Sequence, residues 1–330
     1  MILSNKKGFG LIELMISILV ASIIVAGLYQ MLTSSMLNFG ISSATGRSGK
    51  SARQVDNLVN NLIFQAGHMN YIRYLERTRF MAAPSAFSSN TFFSNTSAWK
   101  KDVFIHGGPL FNGNNSIKFR FFGSSLRDDV RDDNGNTVAN GYTFDCRGLS
   151  VPDTVELEML IFVNDSGLVC AQHALHGDAA DWDIPVGTPQ VIDGSIVSMR
   201  ILYGTTRTGE GDAYFTAESV GDFWPFINLV KYSFVTSQET GQNVIKAQNT
   251  NNGRVELTLF DQNEISPSGP CPSAAFFEKS NMNYTGSRVC RDNTVSNDNM
   301  GKYVVPNDRT TRMHRIISGT VPLFNGSNFE

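Results

Sequence analysis

The chain is apolar or small at nearly every position from Phe9 to Leu32, and one charged residue stands in the run: Glu13. As a helix these 24 residues would extend about 36 Å at 1.5 Å per residue, enough to cross a hydrocarbon layer of about 30 Å. Small residues four apart, Ser17 with Ala21 and Ser22 with Ala26, would let neighbouring helices approach closely. A polar interval holding Gly40, Gly46 and Gly49 follows; its glycines disfavour a regular helix and leave the conformation of 40–49 open. Helical period resumes over 50–67, where Val55, Leu58, Val59, Leu62, Ile63 and Ala66 form one apolar face ending near Gly67. That face needs a sheet to cover it.

After residue 70 the period changes to two. IKFRFF (117–122) sets Ile117, Phe119 and Phe121 on one face and Lys118 and Arg120 on the other. In TVELEMLIFV (154–163), Val155, Leu157, Met159, Ile161 and Val163 alternate with Glu156 and Glu158. Asn164 to Gly167 then turns the chain into LVC, a hairpin signal. Further strands are predicted within 191–204, 227–235, 254–260 and 315–324, and surface loops at 84–98, 124–140, 205–222 and 262–308. The predicted class is α+β: a long N-terminal helix (9–67, with 9–32 in the membrane and 50–67 amphipathic) packed on an antiparallel β-sheet head (68–330). No repeat is evident.

Composition narrows the chemistry. At 330 residues, with a net charge of −3 and 17% charged residues, the chain has no charge excess suited to nucleic acid or an anionic lipid surface. Abundant Phe (23) and Gly (29) fit strands joined by many turns. Cys146, Cys170, Cys271 and Cys290 form no C-x-x-C and suit disulfides outside the cytoplasm. Of three connectivities, the sequential one is expected: Cys146 with Cys170, and Cys271 with Cys290.

Lys6 and Lys7 precede the apolar run and belong on the cytoplasmic side. A removable signal peptide cut near Ala26 or Gly27 and an uncleaved anchor are both compatible with that, and both leave Glu13 unexplained. The string K-K-G-F-G-L-I-E-L-M (6–15) resembles the type IV prepilin signal. The resemblance implies cleavage between Gly8 and Phe9 by prepilin peptidase, loss of the leader 1–8, and methylation of the new Phe9 amine. It also gives Glu13 a partner, the positively charged N-terminus of a neighbouring subunit. Two groups costly in lipid would then neutralise one another and set the stagger between subunits.

The head narrows the resemblance to PilW-type minor pilins. Similar stretches occur in the family's order: the helix ending Q-A-G (65–67), IKFRFFG, D-C-R-G (145–148), L-V-C (168–170), 191–204, W-P-F-I-N-L-V-K (224–231) as an aromatic-led strand, and 312–325. The last strand departs from the family's Arg-Asn ending, with Phe324 before Asn325. The resemblance implies a pilin-like, non-enzymatic component held in the inner membrane with its N-terminus cytoplasmic and its head periplasmic, then assembled at the cell surface. Implied partners are other minor pilins, the major pilin, prepilin peptidase, the inner-membrane assembly platform, membrane lipid and, as a candidate, a tip adhesin. The complex would initiate the filament and stay near its tip. A J-type pseudopilin of a type II secretion system is the alternative, and a membrane-anchored periplasmic enzyme or secreted binding module would be rivals of another class.

Other chemistry is weakly signalled. A-T-G-R-S-G-K-S (44–51) fits a loose Walker A pattern, but lacks the strand-to-helix context and reads as a polar connector. Cys170, His173 and His176 offer a partial zinc spacing without a fourth ligand. Asp128, Asp129, Asp132 and Asp133 before Asn134-Gly135-Asn136 hint at calcium, yet an EF-hand frame would put Val130 and Gly141 where oxygens are needed. Glu156 and Glu158 read as a wet strand face. No catalytic constellation, metal site or cofactor is expected.

Overall fold

The structure, a computed structural model, describes residues 10–68, 103–108, 110–124, 142–153, 155–176, 189–207, 210–221, 224–239, 250–251, 254–260, 288–290, 301–306 and 312–323. Helix α1 runs without interruption from Leu11 to Phe64, through Gly40, Gly46 and Gly49. Residues 40–49 are therefore helical. From Ala44 on, a stripe of Ala44, Ser48, Ala52, Val55, Val59, Leu62 and Ile63 is buried, so packing supplies what three glycines withhold in propensity. Leu58, expected on that apolar face, is 39% exposed. The helix stops where Gly67 takes φ +78°, a left-handed conformation that glycine adopts without strain.

The expected alternation forms the first sheet. Its strands β1 (Ile105–Gly107), β2 (Ile117–Phe122), β3 (Glu156–Asn164), β4 (Gly167–His176) and β5 (Gln190–Asp193) lie in sequence order, all antiparallel. In the β3–β4 hairpin, Asn164 pairs with Gly167 around a two-residue turn. The second sheet is built from β6 (Ile196–Arg207), β7 (Glu210–Phe215), β8 (Leu229–Glu239), β11 (Arg288–Cys290) and β13 (Arg312–Pro322), in the order β11-β7-β6-β8-β13. Only β11 and β7 run parallel among the described pairs. A small third sheet orders β12 (Lys302–Val304), β10 (Arg254–Thr258) and β9 (Thr250–Asn251).

One core joins these layers. The buried stripe of α1 meets Phe119, Phe121, Leu157, Met159 and Ile161 of the first sheet, and Met199, Ile201, Tyr203, Tyr232 and Phe234 of the second. The head thus closes around the second half of the helix only.

Several expectations need correction. Turn-rich 205–222 contains β7 and a one-turn helix α2 (Ala217–Val220), and 262–308 contains β11 and β12. The aromatic-led strand expected over 224–231 begins as a 3-10 turn at Trp224–Phe226; Pro225 has no N–H for a ladder, and β8 starts only at Leu229. Residues 84–98 lie outside the described residues.

Candidate functional site

The distinctive surface is the first half of α1. Leu11, Ile12, Met15, Ile16, Leu19, Ile23 and Val25 are each more than half exposed, as are Leu28, Tyr29, Met31, Met36 and Phe39 further along. The most apolar 18-residue window has a mean hydropathy of 2.6 and none of it is buried, so the helix is long and apolar enough to cross a membrane. From Leu14 to Gly46 the sequence carries no charged side chain. Hydroxyls inside the apolar stretch bond back to the helix: Ser17 donates to the Leu14 carbonyl and Ser22 to that of Leu19, both at 2.8 Å. Thr33 sits 3.0 Å from the Tyr29 and Gln30 carbonyls. Such internal bonds spare the segment unpaired polar groups in hydrocarbon.

Glu13 stands in the first helical turn, exposed, and its Oε2 accepts the Gly10 N–H at 3.2 Å. A carboxylate here complements the positive end of the helix dipole and the orphan N–H groups of the first turn. The same oxygens face outward, free to meet a cation from another chain. Gly8 and Phe9, the expected cleavage pair, lie outside the described residues.

The other end of the helix is anchored by polar contacts that the hydrophobic pattern did not announce. Gln65 uses its amide like a strand, Nε2 donating to the Phe144 carbonyl (3.0 Å) and Oε1 accepting the Phe144 N–H (2.9 Å). The Gly67 N–H donates to the Arg120 carbonyl (2.9 Å), and the Phe122 N–H to that of His68 (2.8 Å). Tyr232 Oη donates to Asp56 Oδ1 at 2.5 Å and lies 3.0 Å from Asn60 Oδ1. Burial, reinforced by Asp56, pushes the Tyr232 phenol well above its ordinary value. Its register partner in β13 is Gly319, where a Cβ would come within 2.4 Å of Oη. Only a glycine leaves that path to the helix open.

D-C-R-G at 145–148 folds onto β4. Buried Asp145 accepts the N–H groups of Arg147 (2.8 Å) and Leu149 (2.9 Å), and Arg147 Nε donates to its other oxygen (2.8 Å). Cys146 and Cys170 form a disulfide that ties this turn to the strand. Cys271 lies outside the described residues, so its pairing with Cys290 is not described.

The remaining candidates resolve differently. Residues 44–51 sit inside α1, so they form no phosphate-binding loop before a helix N-terminus. Cys170, His173 and His176 are strand residues of β4; Cys170 stands opposite Ile161 on the core side, whereas His173 stands opposite Glu158 on the other face. Cys170 and His173 therefore do not converge. No cluster of three potential metal ligands occurs among the described residues. Asp128, Asp129, Asp132 and Asp133 lie outside them.

The face expected to be wet is buried. Glu156, Glu158, Lys118, Arg120 and His173 are all at most 6% exposed. Cross-strand ion pairs join Lys118 to Glu158 (3.6 Å) and Arg120 to Glu156 (3.4 Å), and Arg120 Nε donates to the Val103 carbonyl (2.9 Å). Desolvation pushes Glu156 up to about 7 against the pull of Arg120, with Glu158 adding to the rise. Burial likewise lowers His173 and Lys118.

Comparison with known proteins adds one firm assignment. A type IV-like pilin from Thermus thermophilus overlaps 68% of this chain and 84% of its own, at 12% identity and a TM-score of 0.29. No curated protein matches the chain. Residues 3–29, which include Gly8, Phe9, Glu13 and most of the exposed apolar helix, match the prokaryotic N-terminal methylation motif: the chain begins with a prepilin-type signal.

Proposed function

We propose that this chain is a minor pilin of the PilW type, which joins other minor pilins in the complex that starts a type IV filament and remains near its tip. The observation that carries the reading is a charge-free apolar helix, wholly outside the head, introduced by Glu13 within a methylation motif. Peptidase removes residues 1–8 and methylates Phe9. The protonated Phe9 amine of one subunit then pairs with Glu13 of its neighbour in a setting where neither charge is tolerable alone. Before assembly the helix rests in the inner membrane, N-terminus inward, with the disulfide-bearing head in the periplasm, where such bonds persist. The role is one of templating, and no reaction is assigned to the chain.

The mass of the N-terminal peptide from membrane-extracted protein tests this, in cells with and without prepilin peptidase. A start at Phe9 carrying one added methyl, absent without the peptidase, is the expected result. A start near Leu28, or an intact Met1 in both strains, would overturn the reading.

A further inference from the structure

The second sheet ends on a long strand whose outer edge is bare. Every other sheet edge among the described residues is short: β1, β11 and β12 have 3 residues each, β5 has 4 and β9 has 2. β13 has 11, and its pairing with β8 runs through all of them without a bulge. Natural sheets blunt an exposed edge with brevity, bulges, charge or proline. From Ile316 to Val321 this edge uses none of them.

The ladder shows which backbone groups are left over. The Ser237 N–H donates to the Ser195 carbonyl on the β6 side (2.7 Å), and the Leu323 N–H to the Asn228 carbonyl (2.8 Å). Backbone groups alternate in direction along a strand, so β13 meets β8 through its odd-numbered residues. Ile316, Ser318 and Thr320 turn their N–H and C=O groups the other way, where no described residue receives them. Pro322, next in that row, has no N–H to leave unpaired and ends the run. A row of outward donors and acceptors repeating every second residue matches the backbone of another extended strand.

Helix α1 lies along the same edge. Thr45 Oγ1 is 3.6 Å from Met313 Sδ, and Arg315 Nη1 is 3.2 Å from where a Cβ on Gly49 would sit. Further on, Asp56 and Asn60 reach Tyr232, the register partner of Gly319. Helix and strand therefore run in the same direction. Two copies joined symmetrically by this edge would pair antiparallel and point their helices in opposite directions. Chains anchored side by side in one membrane cannot adopt that arrangement, an exclusion that rests on the placement proposed above. The helix flank beside the edge also selects charge. Arg315 and, one turn beyond Gly49, Arg53 are exposed and form no ion pair with a described residue, whereas Asp56 is engaged by Tyr232. Phe64, one turn past Asn60, is 52% exposed. We infer that the β13 edge over Ile316–Pro322 receives an extended segment of a different protein chain, which adds a strand to the second sheet and sets an acidic side chain against Arg315 and Arg53.

Photo-crosslinking in the cells that make the protein tests this, with benzoylphenylalanine at position 320 of the full chain and adducts identified by peptide mass. The expected adduct is to one segment of another protein. Ser318→Pro removes an outward N–H, leaves the β8 ladder whole and should abolish the adduct. Arg315→Glu should lower its yield by about tenfold or more, because like charges would then face each other. An unchanged thermal midpoint and an intact Cys146–Cys170 disulfide identify the variants that fold. The inference falls if no adduct forms, if the adduct is to a second copy or to lipid, or if either folded variant leaves the yield unchanged. The N-terminal mass is read from the same cells, so processing at Phe9 without an adduct overturns this inference alone.

Discussion

Glu156 is a buried carboxylate beside the Arg120 guanidinium and a second carboxylate, Glu158, and its protonation shapes how the head responds to pH. Its value is raised from 4.5 to about 7, so the folded state holds this proton more tightly than the unfolded chain does. The stabilisation from that proton is complete below pH 4.5 and is lost as pH rises towards 7. His173 works in the opposite sense: lowered by burial, it favours the fold above its ordinary 6.5 and weakens it as pH falls. Glu156→Gln should therefore flatten the decline between pH 4.5 and 7 and leave the acid-side loss in place. Thermal midpoints against pH, parent and variant, check this. Tyr232 offers a second residue-scale test. Tyr232→Phe removes the bond to Asp56 and should cost about 1 to 2 kcal/mol, whereas Gly319→Val drives a side chain into the phenol and should cost about 1 to 3 kcal/mol, read by urea unfolding.

At the scale of elements, strands with strict alternation were legible: 117–122 is β2 residue for residue, and the expected 154–163 overlaps β3 (Glu156–Asn164) over all but its last residue. Alternation, however, reports only that two faces differ. It cannot say that the charged face will itself be covered, which is why Glu156 and Glu158 read as wet and are buried with Lys118 and Arg120. The short strands β7, β11 and β12 were hidden by turn-forming residues, since three to six positions of weak pattern carry little periodic signal. Continuity of α1 across Gly40 to Gly49 was hidden for another reason: burial beyond Ala44 is a tertiary effect. The polar clamp at the helix end was equally invisible, because a glutamine beside an apolar face gives no hint of a strand-like partner. Gln65→Ala leaves the Phe144 N–H and carbonyl without their amide and should cost about 1 to 3 kcal/mol. Amide exchange at Phe144 should rise in step, which separates loss of the clamp from general loosening.

For the molecule as a whole, the division of labour falls within one helix: residues before Ala44 touch no core, and those after it are the core's spine. The methylation motif at the N-terminus was readable because its residues, 3–29, are contiguous in sequence. Glu13→Ala should leave processing at Phe9 unchanged and lower the amount of the chain in sheared filaments by roughly tenfold or more, because an ion pair in lipid exceeds the 1.4 kcal/mol that tenfold represents. Immunoblots of filament and membrane fractions would show it as accumulation in the membrane.

The uncharged surface from Leu14 to Gly46 also bears on reversibility. A helix bundle and a bilayer interior are solvents of nearly equal quality for Leu, Ile and Val, so moving between them changes little apolar hydration. The direction of travel is then decided by close packing and by whether Glu13 finds a partner. For the filament role proposed above, this means that the apolar surface by itself holds the helix in neither environment.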